Sequence, residues 1–351
     1  MTAERHHPYL GLPDTAYWRR SIIDGEVRGL GDSAGLFSAD DRVMSAGSCF
    51  ASNMVPWLES AGIAYVRTER PHPALSHLPE HLGYREFSAA YGNMYTVRQF
   101  VQLLDRASGA FAPVEDRWHI DGRVIDPFRP GLAYPATSDG EFDALTRQHL
   151  DCVEAAVREA TVLVFTLGLT EAWHSRVDGA VFSVAPGVVA GHFDEARHEF
   201  VNFDVSDVAT DLAALRERVD RLNPGLRIVL TVSPVPLVAT ASGEHVLEAS
   251  TYSKAVLRAA AGQAVRDLSE VEYFPAFEIV TGPQARGRAF EDDGRTVSAA
   301  GIEAVMRVML GRVAAELGSS PEAQRSGAPE SVRLSTLIAD AECEEALLDA
   351  E

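Results

Sequence analysis

Three cysteines, Cys49, Cys152 and Cys343, are too few and too far apart to form a disulfide frame, so they read as reduced thiols in a reducing compartment. No apolar run approaches the roughly 18 residues that a membrane span needs, and Met1 to Leu10 is polar and His-rich, without the apolar stretch of a secretory leader. Bases are scarce: 31 Lys and Arg stand against 51 Asp and Glu, a formal charge of -20. Such a surface repels phosphate backbones, which argues against nucleic acid as a partner. No G-x-G-x-x-G or G-x4-G-K-[ST] follows an apolar strand, so a nucleotide cofactor is not expected. Metal ligands are poorly arranged too. His72, His77 and His81 cluster, but Pro79 breaks the helix that their spacing would need, and His192 and His198 flank an acidic loop without a third clear ligand. There is no internal repeat. The absences leave a globular cytoplasmic protein with no cofactor and no metal.

What is present is an alternation. With 46% hydrophobic residues the chain can bury a sizeable core. Short apolar runs at Arg42 to Ala46, Ile63 to Val66, Thr161 to Phe165, Arg227 to Val232 and Val271 to Phe274 read as strands. Helical spacing appears in Phe50 to Ala61, Thr96 to Ala107, Phe142 to Ala160, Val205 to Leu222, Thr251 to Leu268 and Ala299 to Leu317. Buried strands alternating with helices predict a mostly parallel sheet covered on both faces, one α/β domain over residues 1–317. Two segments interrupt the alternation: Pro113 to Thr137, read as an irregular excursion or small hairpin, and Ser175 to Phe203, where Asp178-Gly179 signals a hairpin. Residues 318–333 are rich in Ser, Pro, Ala and Gly and read as a linker, and 334–351 as an acidic tail or short helix.

The stretch Arg42-Val43-Met44-Ser45-Ala46-Gly47-Ser48-Cys49-Phe50-Ala51 runs an apolar strand into a small-residue turn that opens a helix. A nucleophile there stands at the carboxyl end of the sheet, beside free N–H groups and a positive helix end that favour a thiolate and an oxyanion. The same residues equally suit a tight turn around a packed thiol.

Gly47-Ser48-Cys49-Phe50-Ala51 resembles the signature of the GSCFA family. The resemblance extends through Tyr91-Gly92-Asn93-Met94-Tyr95-Thr96, Thr166 to Trp173, Val232-Ser233-Pro234-Val235-Pro236, Thr251-Tyr252-Ser253-Lys254 and Tyr273-Phe274-Pro275, about residues 40–312 in all. That family is similar to the SGNH/GDSL hydrolases. The resemblance implies a flavodoxin-like three-layer sandwich with excursions and a C-terminal tail, and an esterase or acyltransferase ancestry. Laid on G-D-S-L, Cys49 takes the nucleophile's register and Ser48 the aspartate's. Gly92 and Asn93 take the place of an oxyanion-binding loop. Thr170, Glu171 and Trp173 lie in the loop where that superfamily carries its asparagine, which is absent here. Gly31-Asp32-Ser33 spells G-D-S, but no apolar strand precedes it, and it reads as a surface turn.

The resemblance departs most at the D-x-x-H position, where Asp293 is followed by Thr296 instead of histidine. Threonine is no general base near neutral pH. Either another histidine serves, His245 or His198 being the candidates, or Cys49 works without one. The expectation is an ester or thioester hydrolase or acyltransferase acting on a small acyl substrate, with acyl-CoA or acyl carrier protein as candidate donors. The alternative is a non-catalytic binding or accessory protein that keeps the pocket. The oligomeric state is not legible.

Overall fold

The computed structural model describes residues 7–23, 25–30, 36–70, 87–132 and 135–316. The histidine cluster at 72–81, the Gly31-Asp32-Ser33 turn, the linker and the acidic tail lie outside the described residues.

An N-terminal strap comes first: a 3-10 turn at Asp14–Ala16, helix α1 at Trp18–Ser21, and a short hairpin of β1 (Ile22–Ile23) and β2 (Glu26–Val27). Strand β3 (Arg42–Ala46), helices α2 (Cys49–Ser52) and α3 (Val55–Ser60) and strand β4 (Ala64–Tyr65) then open the main body. It continues with α4 (Val97–Ala107), a hairpin of β5 (Trp118–Ile120) and β6 (Arg123–Ile125), α5 (Asp139–Glu159) and β7 (Val162–Leu167). A second excursion holds β8 (Glu171–Ser175), β9 (Val181–Phe182) and β10 (His198–Asn202). The chain closes with α6 (Val205–Leu222), β11 (Arg227–Val232), α7 (Val246–Asp267), β12 (Val271–Tyr273), α8 (Ala276–Thr281) and α9 (Ala299–Glu316).

Five strands form a parallel sheet in the order β12-β11-β7-β3-β4. Counting only those strands along the chain, the order is 2-1-3-4-5, the flavodoxin-like arrangement. The sheet is flanked by helices. Val162 to Leu167 of β7 is buried throughout and β11 nearly so, which is why both are continuous apolar runs and not alternating ones.

Local chemistry explains most boundaries. Thr96 and Gln99 form a capping box that starts α4, and Asp204 and Asp207 form another that starts α6. The helix expected over Phe50 to Ala61 is instead two, α2 and α3. Pro56, in the first turn of α3, has no N–H for a bond back to Ser52, so the helix restarts there. Helix α7 begins five residues earlier than its pattern suggests, because the ring of His245 accepts the Leu247 N–H and caps it. The Pro113 to Thr137 excursion is a hairpin turning at Asp121-Gly122, both at positive φ. The second excursion is a three-stranded antiparallel sheet, β10-β8-β9, closed at Asp178-Gly179. It starts at Glu171, so half of the expected Gly168 to Trp173 loop is strand.

Candidate functional site

In a 2-1-3-4-5 sheet the chain reverses its direction of winding between strands 1 and 3, and ligands bind outside the carboxyl ends of those strands. Here they are β3 and β7, so the switch point falls at Gly47-Ser48-Cys49 and Gly168. Gly47 has φ +146°, and a Cβ there would come within 2.8 Å of the Thr166 Cβ and 2.9 Å of the Ala51 Cβ. Only glycine fits. Ser48 is buried, and its carbonyl accepts the Ala51 and Ser52 N–H groups at 2.7 and 3.3 Å, which starts α2 with Cys49 as its first residue. That helix is a single turn, so the positive helix end expected to favour a thiolate is weak.

The second wall is the Tyr91 to Tyr95 segment. The Met94 N–H donates to the Gly47 carbonyl at 2.7 Å, which ties this loop to the turn. Gly92, at φ +67°, and Asn93 are half-buried within it. A buried ionic cluster holds the loop. Glu69 accepts the Ala90 N–H at 2.8 Å, and Arg129 donates to the Ala90 carbonyl at 3.1 Å and to Glu69 at 3.4 Å. The Arg129 Nε also donates to Asp126 at 3.0 Å, Arg106 stands 3.9 Å from Asp126, and His149 Nδ1 lies 2.7 Å from Glu69. Burial opposes ionisation of Glu69, but His149, Arg129 and the Ala90 N–H outweigh it and hold the carboxyl at about 2. Burial and the Arg129 charge together push the His149 imidazole below its ordinary value, against the opposing pull of Glu69. Sequence reading missed this cluster: Glu69, Asp126 and His149 are scattered over 80 positions, and only folding assembles them.

The third wall is Gly168 to Glu171. The Gly168 and Leu169 N–H groups both donate to the Tyr95 carbonyl, at 3.1 and 2.9 Å, and a Cβ on Gly168 would meet that oxygen at 3.0 Å. Two consecutive residues of α7 brace the loop: Ser253 Oγ accepts the Thr170 N–H at 3.1 Å, and Lys254 Nζ donates to the Gly168 carbonyl at 2.7 Å. The Thr170 N–H is therefore spent within the protein. An asparagine does reach this loop, but from β10: Asn202 Oδ1 accepts the Thr170 hydroxyl at 2.7 Å. Glu171 accepts the Thr240 hydroxyl at 2.6 Å, and burial pushes its carboxyl above the usual range. Trp173 is half-buried and meets Phe193 and Phe200 edge-on. Tyr95, Leu169, Glu171, Trp173, Phe200 and Leu237 help line a cavity of about 220 Å³ beside the turn's neighbouring loops.

The other predicted residues are engaged elsewhere. His198 is buried at the start of β10, with Nε2 3.1 Å from Glu115 and Nδ1 accepting the Asp194 N–H at 3.1 Å. His245 is exposed and caps α7. Asp293 is exposed, and its carboxylate accepts the Arg295 and Thr296 N–H groups at 2.8 and 2.9 Å and the Thr296 hydroxyl at 2.6 Å. That is a closed Asx turn in which Thr296 satisfies its own aspartate. Among the described residues no group of His, Cys, Asp and Glu is arranged to hold a metal, and no helix is long and apolar enough to cross a membrane.

Among curated proteins none matches the chain. Solved structures that resemble it include two esterases. One is a carbohydrate esterase family 3 protein from Talaromyces cellulolyticus, 11% identical over 80% of this chain and 99% of that one, with TM-score 0.37. The other is a serine-to-alanine mutant of an acetyl esterase with acetate ion, 11% identical over 79% and 98%, with TM-score 0.36. The fold assignment rests on the strand order, not on these similarities. The model of the GSCFA family matches residues 42–309, most of the chain, and the protein belongs to that family.

Proposed function

We infer that this protein is an acyl-transfer enzyme, an ester or thioester hydrolase or an acyltransferase, with Cys49 as nucleophile. The observation that carries this reading is the glycine-hinged turn Gly47-Ser48-Cys49 at the sheet's switch point, hydrogen-bonded through Met94 to the Gly92 loop. In this reading the Cys49 thiolate adds to the acyl carbonyl, N–H groups of the turn and of the Gly92 loop hold the oxyanion, and the leaving group departs to give a thioester. Water or an acceptor alcohol or amine then takes the acyl group and frees the thiol. The cavity of about 220 Å³, apolar but for Glu171, Thr240, Ser183 and Gln99, suits a compact acyl group or its acceptor. A thiol nucleophile suits thioester exchange, so acyl-CoA or acyl carrier protein is the proposed donor.

One observation favours a binding or accessory protein instead. His198, His245 and Asp293 are all committed to structural hydrogen bonds, so these three do not assemble an Asp-His pair of the SGNH kind at the turn. Intact mass after incubation with a panel of acyl thioesters and activated esters separates the two. An adduct of one acyl group that is lost in Cys49→Ala supports the enzyme; tight binding without any adduct across the panel supports the binding protein.

A further inference from the structure

Among the described residues neither His198 nor His245 is free to serve the proposed nucleophile, yet a buried ionisable group stands at the site. Lys254 is 5% exposed, on the face of α7 that also buries Ser250, Leu257, Ala261 and Ala264. Burying a lysine is costly because its charge leaves water, so the groups around its amine decide its protonation state. Its amine lies at the switch point, bonded to the Gly168 carbonyl. Gly168 is two residues beyond Thr166, whose carbonyl and Cβ press on Gly47, and two residues of extended chain span about 7 Å. The amine therefore belongs to the same cluster of strand ends as the Ser48-Cys49 turn. Asp211 of α6 is bonded to Arg98, Glu278 of α8 to Arg258 and Tyr273, and Glu171 to Thr240. On α7 itself Arg258 faces the open groove that Lys254 also borders, together with Pro234, Pro236 and Phe277.

We propose that Lys254 is the general base and acid of this site, the residue that replaces the histidine missing at Thr296. This rests on the acyl-transfer reading. The neutral amine takes the proton of the Cys49 thiol, and the thiolate forms a C–S bond to the acyl carbon. The tetrahedral adduct breaks its bond to the leaving oxygen or sulfur, which takes the proton back from the ammonium. In deacylation the amine takes a proton from water or the acceptor as that attacks the thioester, then returns it to the departing Cys49 sulfur. A lysine removed from water is suited to such cycling, whereas an arginine stays charged.

The test uses the full chain and the variants Lys254→Arg and Lys254→Met, with two readouts. The first is the rate of acyl-adduct formation against pH. The second is the rate of Cys49 alkylation by iodoacetamide against pH, which needs no substrate and so stands even if acyl transfer fails. The guanidinium introduced by Lys254→Arg keeps a charged donor for the Gly168 carbonyl, so a bracing role survives in that variant. The expected result for Lys254→Arg is a native melting temperature, adduct formation slowed by about 10²- to 10⁴-fold, and loss of the limb that Lys254 contributes to both pH profiles. Lys254→Met should lose that limb as well; if it does not fold, the arginine variant decides. Wild-type adduct rates and an unchanged alkylation profile in Lys254→Arg would reduce Lys254 to a brace. A wild-type chain that forms no adduct would sink the acyl-transfer reading. In that case a shifted alkylation profile in the variants would still tie Lys254 to the Cys49 thiol, and an unshifted one would overturn the proposal too.

Discussion

Gly47 lies so close to Thr166 that a Cβ on Gly47 would stand 2.8 Å from the Thr166 Cβ and 3.0 Å from its carbonyl oxygen. The turn that carries Ser48 and Cys49 is thereby pressed against the next strand of the sheet. Gly47→Ala should cost about 1–3 kcal/mol from the unfavourable backbone alone, with the clash in addition. Urea denaturation measures this, and a stability within roughly 0.5 kcal/mol of wild type, the scatter of a neutral surface change, would contradict the close approach.

Thiol reactivity separates Cys49 from Cys152. Burial, with Glu69 and Asp151 nearby, pushes the Cys152 thiol up, and its sulfur is bonded to the Thr68 carbonyl at 3.4 Å. Iodoacetamide at neutral pH should therefore modify Cys49 first, and activity should fall in step with that peptide's modification. Peptide mapping that finds Cys152 modified ahead of Cys49 would refute the assignment. Ser48→Ala should weaken adduct formation without abolishing it; full loss there, with full activity in Cys49→Ala, would exchange the two roles.

Arg129 is the shared partner of Glu69, Asp126 and the Ala90 carbonyl. Arg129→Met leaves two buried carboxylates facing each other across one fewer cation, and should cost about 3–5 kcal/mol. Because Ala90 leads into the Gly92 loop, adduct formation should suffer as well. A variant of unchanged stability would mean that the cluster is not closed as described.

Acid should destabilise the protein through the same cluster. His149 has its folded value pushed below the ordinary 6.5, so the unfolded chain binds the proton first and stability falls as pH drops through 6.5. Glu69, lowered from 4.5 to about 2, acts with the same sign further down: its contribution is present above 4.5 and is lost as pH falls towards 2. Denaturation midpoints for wild type and His149→Gln between about pH 7.5 and 5 test the first part. The variant should show the flatter dependence, and equal slopes would remove His149 from it.

His245 and His198 should prove dispensable for chemistry. His245→Ala removes a helix cap worth about 0.5–2 kcal/mol and should leave the adduct-forming rate unchanged. A pH-dependent loss of rate in that variant, without loss of stability, would bring the histidine back as a base.

What the sequence determined by itself is local. The apolar runs of β3, β7 and β11, the capping residues Thr96 and Asp204 and the Asp178-Gly179 turn all act within a few residues of chain, through burial period, hydrogen-bonding side chains or backbone freedom. The family blocks added the order of the elements. The roles at the site were not local, and only the tertiary structure decided them. Thr296 was legible as a missing histidine, but not as the partner that closes the Asp293 turn. His198 looked well placed until Glu115, 83 positions away, took one of its nitrogens. Lys254 carried a readable signal, a charge in phase with Leu257, Ala261 and Ala264, yet its bond to Gly168 spans 86 positions. Long-range polar pairs depend on where the sheet brings chain segments together, and no periodicity in the sequence records that geometry.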